Sequence, residues 1–190
     1  MSVVARRATP DLTDETETVE VVSGVTLMSP RPAPAHAGAA LALGAALCPA
    51  YDDHYRSRKK GRQPAGPGGW RVLPEPELRL RGDKLSPDLA AWRIARLPVL
   101  PKTSFIQVAP DWVCEILSPS TQSIDRFTKM PAYAAAGVCS LWLLSVINHS
   151  LEVYRLGGGT YELVATHRGD RRVRVEPFAE FQLELATLWP

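Results

Sequence analysis

The sequence predicts an α/β domain, and three features lead there. Residues 111–117 read as a short strand, and from Trp112 to Leu117 it is apolar on both faces except for one acid, Glu115, as strands interior to a covered sheet are. A Ser/Pro/Thr turn follows, then a helical pattern that stops at Gly137, so the middle of the chain reads strand, turn, helix. Other β-type runs on both sides of this unit, and an Ala/Leu-rich helical stretch before it, complete the mixture.

Composition narrows the possibilities. With 190 residues, 45% hydrophobic and 22% charged, the chain suits one domain with a substantial core, here taken as residues 19–190. A net charge of +2 neither requires nor excludes a nucleic-acid partner, so only the distribution of charge is informative. Cys48, Cys114 and Cys139 sit in apolar runs without a Cys-x-x-Cys or Cys/His cluster, which predicts buried free thiols in a reducing compartment and argues against zinc. Residues 1–20 are polar and hold no apolar signal core, and the apolar stretch 37–50 is too short to span a bilayer. A cytoplasmic protein without a membrane partner is the expectation.

Taken in order, residues 1–18 mix charge, Thr and Pro without periodicity and read as a mobile arm. From Val19 two short strands flank Ser23-Gly24 as a hairpin, and Pro30, Pro32 and Pro34 then force an extended lead into a helix over 35–48. Residues 51–69 form a flexible loop whose basic run, Arg56, Arg58, Lys59, Lys60 and Arg62, could lie along phosphates or be simply solvated. After Trp70 the chain is β-rich. Leu78 and Leu80 alternate with Glu77, Arg79 and Arg81 as a half-buried strand does, and Asp88 lies within or at the start of the next strand.

In the helix after the central strand, Asp125, Lys129 and Tyr133 are spaced i, i+4, i+8 and so share a face. Helical side chains lean toward the N-terminus, which aims Lys129 back at the strand that carries Glu115. Pro131 lies within this series and predicts a kink or a split; Gly137 caps the end. A buried strand over 139–147, a hairpin from Leu151 to Thr166 through Gly157-Gly158-Gly159, Val173 to Val175, and a closing segment 178–189 finish the domain.

Two acids on neighbouring strands and a lysine aimed at them are the minimum for a divalent-metal phosphodiesterase. Mg²⁺ favours one or two carboxylates, retained waters and substrate phosphates, which Asp88 and Glu115 could serve, with Lys129 orienting water or offsetting transition-state charge. Each residue also has an ordinary reading. An acid at a strand start is commonly a solvated turn residue, a helical lysine four residues after an aspartate is commonly a surface pair, and His36 is commonly a helix-start residue.

The motifs add to this. Ser-Pro-Asp at 86–88, PDWVCEILSPST at 110–121, the Asp/Lys/Tyr series at 125–133 and the AG-V ending at 136–138 resemble the Uma-two-type endonucleases of bacteria, of the PD-(D/E)xK nuclease superfamily. The likeness runs from about residue 19 to 188, through EVVSGVTLMSP with His36, WRVLPEPELRL, LWLL, LEVYRL and the closing EPF. It implies a restriction-endonuclease-like fold, a mixed central sheet flanked by helices, in a DNA endonuclease that uses Mg²⁺ or Mn²⁺. Asp88 and Glu115 would be metal ligands and Lys129 the catalytic lysine, reaching in from the helix because the superfamily's strand position for it is Leu117 here. Asp125 and Tyr133 match as supports, and Glu77 and His36 as secondary members. The superfamily's use of one site per strand implies a homodimer. Two alternatives stay open at this level: a binding or assembly module that keeps the fold without the chemistry, and a hydrolase of small phosphoesters in a closed pocket.

Overall fold

The computed structural model describes residues 18–57 and 66–189. The expected arm 1–18, apart from Thr18, and the basic residues Arg58, Lys59, Lys60 and Arg62 lie outside the described residues.

The hairpin forms as expected, with β1 (Thr18–Val22) and β2 (Val25–Ser29) turning at Ser23 and Gly24, which take φ of 51° and 78°. Helix α1 (Pro34–Tyr51) starts on a proline, whose missing N–H has no helical partner at that position anyway. It runs three residues past its expected end, through Pro49, since one forfeited hydrogen bond in the last turn is offset by full burial of Ala50 and Tyr51. A short α2 (Asp53–Ser57) follows.

The run from Trp70 divides at Pro74-Glu75-Pro76, where the backbone bends. β3 (Trp70–Pro74) and β4 (Leu78–Leu80) end up in different sheets, and Glu75 at the break has φ of 43°. β5 (Asp83–Leu85), β6 (Leu89–Arg93) and the central β7 (Trp112–Leu117) come next. The helical segment is composite: α3 (Gln122–Ile124), a π turn (Asp125–Lys129) and α4 (Met130–Ala135). β8 (Ser140–Ser145), β9 (Ser150–Gly157) and β10 (Thr160–Arg168) form a meander, and β11 (Arg172–Val173), β12 (Leu183–Glu184) and a 3₁₀ turn (Leu185–Leu188) close the chain.

The central sheet has six strands in the order β10-β9-β8-β7-β6-β3 and is mixed, because β7 and β8 run parallel while the other neighbours are antiparallel. The composite helix is the crossover that a parallel pair requires. A second, four-stranded antiparallel sheet, β2-β1-β5-β4, lies beside it. Alternation along β7 sorts its side chains: Trp112, Cys114 and Ile116 join the core that includes α1, while Val113 and Leu117 join the core that includes Tyr133 of α4. The thiols differ from expectation. Cys114 is buried, but Cys48 is partly exposed and Cys139, in the connection leading out of Gly137, is exposed. Among the described residues, no helix is long and apolar enough to cross a membrane.

The first core is centred on Phe178, whose ring lies 4.7 Å from Tyr51, 4.9 Å from Trp70, 5.1 Å from Trp112 and 5.7 Å from Trp142. The closing segment therefore holds α1 against the central sheet. Phe178→Ala is expected to cost about 3–5 kcal/mol in urea unfolding; a cost below about 1 kcal/mol would contradict this role.

Candidate active site

Glu115 stands in the middle of β7 on the face shared with Val113 and Leu117, and only 2% of it is exposed. Asp88 immediately precedes β6, the antiparallel neighbour of β7, and the pairing of Leu89 with Cys114 brings it alongside. Its Oδ2 accepts the Ile116 N–H at 2.6 Å, which ties the carboxylate to the β7 backbone. Its Oδ1 lies 2.6 Å from Nε2 of His36, in the first turn of α1.

The helix delivers its side chains through the π turn. The Met130 N–H bonds the Asp125 carbonyl, five residues back. Pro131 explains it: its ring excludes the carbonyl of Phe127 four residues before and it brings no N–H, so the turn ahead of it widens. The kink expected from the sequence is thus a π turn, and Asp125 and Lys129 keep adjacent, buried places on it, with Nζ 3.3 Å from Asp125 Oδ1. Farther along, the fully buried Tyr133 donates its hydroxyl to Glu115 Oε1 at 2.7 Å.

Lys129 Nζ has three acidic neighbours: Glu20 Oε2 at 2.8 Å, Asp125 at 3.3 Å and Glu115 Oε1 at 3.4 Å. Glu20 comes from β1, and its other oxygen accepts the Ser86 N–H at 2.7 Å. Burial opposes the ammonium, but these three carboxylates outweigh it and push the Lys129 pKa up. Burial, first, pushes Glu115 well above the usual carboxylate range; Lys129 opposes this and the neighbouring acids add to it. Asp125 is raised for the same first reason. His36 is also raised, the bond to Asp88 overcoming its burial.

These groups surround a cavity of about 300 Å³. The structure brings together Asp88, Glu115, Lys129, Asp125 and His36 on its lining, with Tyr133 behind Glu115. It does not bring Glu77, which faces away and pairs with Arg79 at 2.9 Å and Lys84 at 3.5 Å. Glu75, held at positive φ by the proline-flanked turn and bonded through its N–H to the Asp88 carbonyl, lines the cavity instead. Arg56 lies elsewhere too, 3.6 Å from Asp53 within α2. Glu20 was not anticipated. Its signal was available, a lone acid between valines in Val19-Glu20-Val21, the same pattern that singled out Glu115.

Among the described residues no three His, Cys, Asp or Glu side chains form a ready cage for a metal ion. Mg²⁺ needs no such cage, since it retains waters and takes one or two carboxylates plus substrate oxygens. The donor set fits it: Asp88 and Glu115 offer hard oxygens, and Tyr133 and Lys129 both meet Glu115 at Oε1 rather than Oε2. Charge fits as well, because Glu20, Asp88, Glu115 and Asp125 face one buried ammonium.

The raised Glu115 carboxyl has a consequence for stability. The native state holds its proton more tightly than the unfolded chain, so stability falls as pH rises from the unfolded value near 4.5 toward the native one. With EDTA present, Glu115→Gln is expected to raise Tm at pH 8 and to leave it nearly unchanged at pH 4, followed by calorimetry; an equal shift at both pH values would contradict the assignment.

The family model described as "Uma2: Putative restriction endonuclease" matches residues 8–187. Among solved structures, a "putative nuclease belonging to DUF820" from Anabaena variabilis ATCC 29413 superposes with a TM-score of 0.66 at 20% identity, covering 90% of this chain and 89% of that one. No curated protein matches the chain. With nearly its whole length matched by that model, on a restriction-endonuclease-like fold, this chain belongs to the Uma2 family.

Proposed function

We propose that this protein is a DNA endonuclease that hydrolyses phosphodiester bonds with Mg²⁺ or Mn²⁺. The observation that carries the reading is the convergence of Asp88, Glu115 and Lys129 on one cavity from two adjacent strands and the crossover helix. Membership of a family described as a restriction endonuclease supports it.

In this reading Asp88 and Glu115 hold the cation. When bound, it supplies positive charge to the phosphate oxygens and acidity to an attacking water. Lys129 works as a cation rather than a base, since its carboxylate partners keep it protonated at neutral pH. It orients the water or offsets charge that develops on the phosphate. Glu20 and Asp125 hold the ammonium in position, Tyr133 fixes Glu115, and His36 fixes Asp88. One site cuts one strand, so a homodimer belongs to the proposal for cleavage of a duplex. The basic run Arg56 to Arg62 is proposed to contact backbone phosphates.

The test is calorimetric titration of Mn²⁺ together with cleavage of supercoiled plasmid and single-stranded DNA. Glu115→Ala is expected to lose metal affinity and cleavage together. Lys129→Ala is expected to keep metal affinity and cleave about 10²–10³-fold more slowly. Unchanged metal affinity and cleavage in Glu115→Ala would overturn the assignment, and a wild type that binds no divalent cation would favour a binding module on the same fold.

A further inference from the structure

We propose that Arg126 and Glu152 are positioning residues that set the rotation of the π turn, and with it the place of Lys129 over Glu115; this rests on the nuclease reading above, in which neither has a part. Arg126 stands on the turn itself, one residue after Asp125, and grips a carboxylate outside the cavity. Its two terminal nitrogens meet Glu152 Oε2 at 2.7 Å and Oε1 at 2.9 Å. A forked pair of this kind fixes orientation as well as distance. Tyr154, on β9 with Glu152, donates its hydroxyl to Glu152 Oε2 at 2.7 Å and accepts from Arg126 at 3.3 Å. Each of the three therefore bonds the other two.

The register of the central sheet ties this trio to the cavity. Glu115 on β7 pairs with Leu143 on β8, and Leu143 pairs with Glu152 on β9. Directly paired residues share a face, so Glu115 and Glu152 stand in one row under the crossover helix, two strand spacings or about 10 Å apart. The π turn lies across that row with one cation for each acid. Lys129 Nζ is 3.4 Å from Glu115, and Arg126 is on Glu152. Rolling the turn about its axis would carry Arg126 off Glu152 as it shifted Lys129 over Glu115, and the two pairs oppose that motion together.

Lys129 needs such a restraint. Its nearest acid is Glu20, at 2.8 Å, so attraction alone does not hold the ammonium beside Glu115. The backbone that carries it must be held as well, because a misplacement of about 1 Å can cost about 10²-fold in rate. The bond from Arg126, first, lowers the Glu152 pKa, so the pair is charged at neutral pH. Both side chains are only partly buried, which leaves water free to solvate whichever partner a substitution strands. The value of the pair lies in its two-pronged geometry, the case in which a partly exposed ion pair does hold structure.

The test compares wild type, Arg126→Ala, Arg126→Lys and Glu152→Gln in steady-state cleavage of supercoiled plasmid and single-stranded DNA, in Mn²⁺ titration and in crystal structures, with the assays run well below each Tm. Arg126→Ala and Glu152→Gln are expected to lower kcat about tenfold while KM and Mn²⁺ affinity stay within about twofold of wild type. Arg126→Lys, which keeps the charge without the fork, should recover part of kcat. In crystals of Arg126→Ala, Lys129 Nζ should stand displaced from its wild-type place over Glu115 by about 1 Å. Wild-type kcat in both Arg126→Ala and Glu152→Gln, or Lys129 unmoved in the crystal, would overturn the proposal. A raised KM with kcat held would overturn it too, by making Arg126 a substrate contact, and so would loss of Mn²⁺ affinity, by placing the effect at Asp88 and Glu115. If wild type cleaves neither DNA the nuclease reading fails, and the crystal structures still decide whether the pair places Lys129.

Discussion

The ammonium of Lys129, buried among Glu20, Asp125 and Glu115, is the interaction on which the rest of the structure depends. Each partner comes from a different element: β1 of the four-stranded sheet, the π turn, and β7 of the central sheet. The ion cluster therefore joins the two sheets as well as forming the centre of the cavity. Removing charge from water costs several kcal/mol per ion, recovered only where geometry is good and hydrogen bonds are complete. Support from behind meets part of that condition: the Ser86 N–H bonds Glu20 and the Tyr133 hydroxyl bonds Glu115.

The cluster is not balanced. One buried ammonium faces more carboxylate than it can neutralise, which burial turns into a raised pKa at Glu115 and Asp125. A protein selected for stability alone would replace one of these acids. In the proposed reading, keeping them stores an affinity for cations, at a cost to the cation-free state. Pro131 belongs to the same compromise. It forfeits regular α-helix, and the π turn that results holds Asp125 and Lys129 close together beside Glu115.

Much of this was legible from local pattern. The strand, turn and helix from residue 111 to Gly137 were readable because periods of two and near four are written directly into the residue order, and both Glu115 and Lys129 stand out against them. The lysine's reach to Glu115 followed from the lean of helical side chains. Glu20 was not read, because its partner Lys129 is contacted only after a second sheet has packed onto the first. Glu77 was nominated by the family resemblance, whereas the chain bends at Glu75, which has positive φ between the two prolines and lines the cavity. Cys139 was taken as buried from its apolar neighbours, but the turn after Gly137 leaves it outside the strand that begins at Ser140.

The most direct measurement of the central claim is anomalous diffraction from crystals of the wild-type protein soaked in Mn²⁺. The account predicts a peak in the cavity about 2.0–2.2 Å from carboxylate oxygens of both Asp88 and Glu115, with the Lys129 ammonium still held by Glu20. No peak there at a Mn²⁺ concentration that supports cleavage, or a peak bound by other residues, would contradict it.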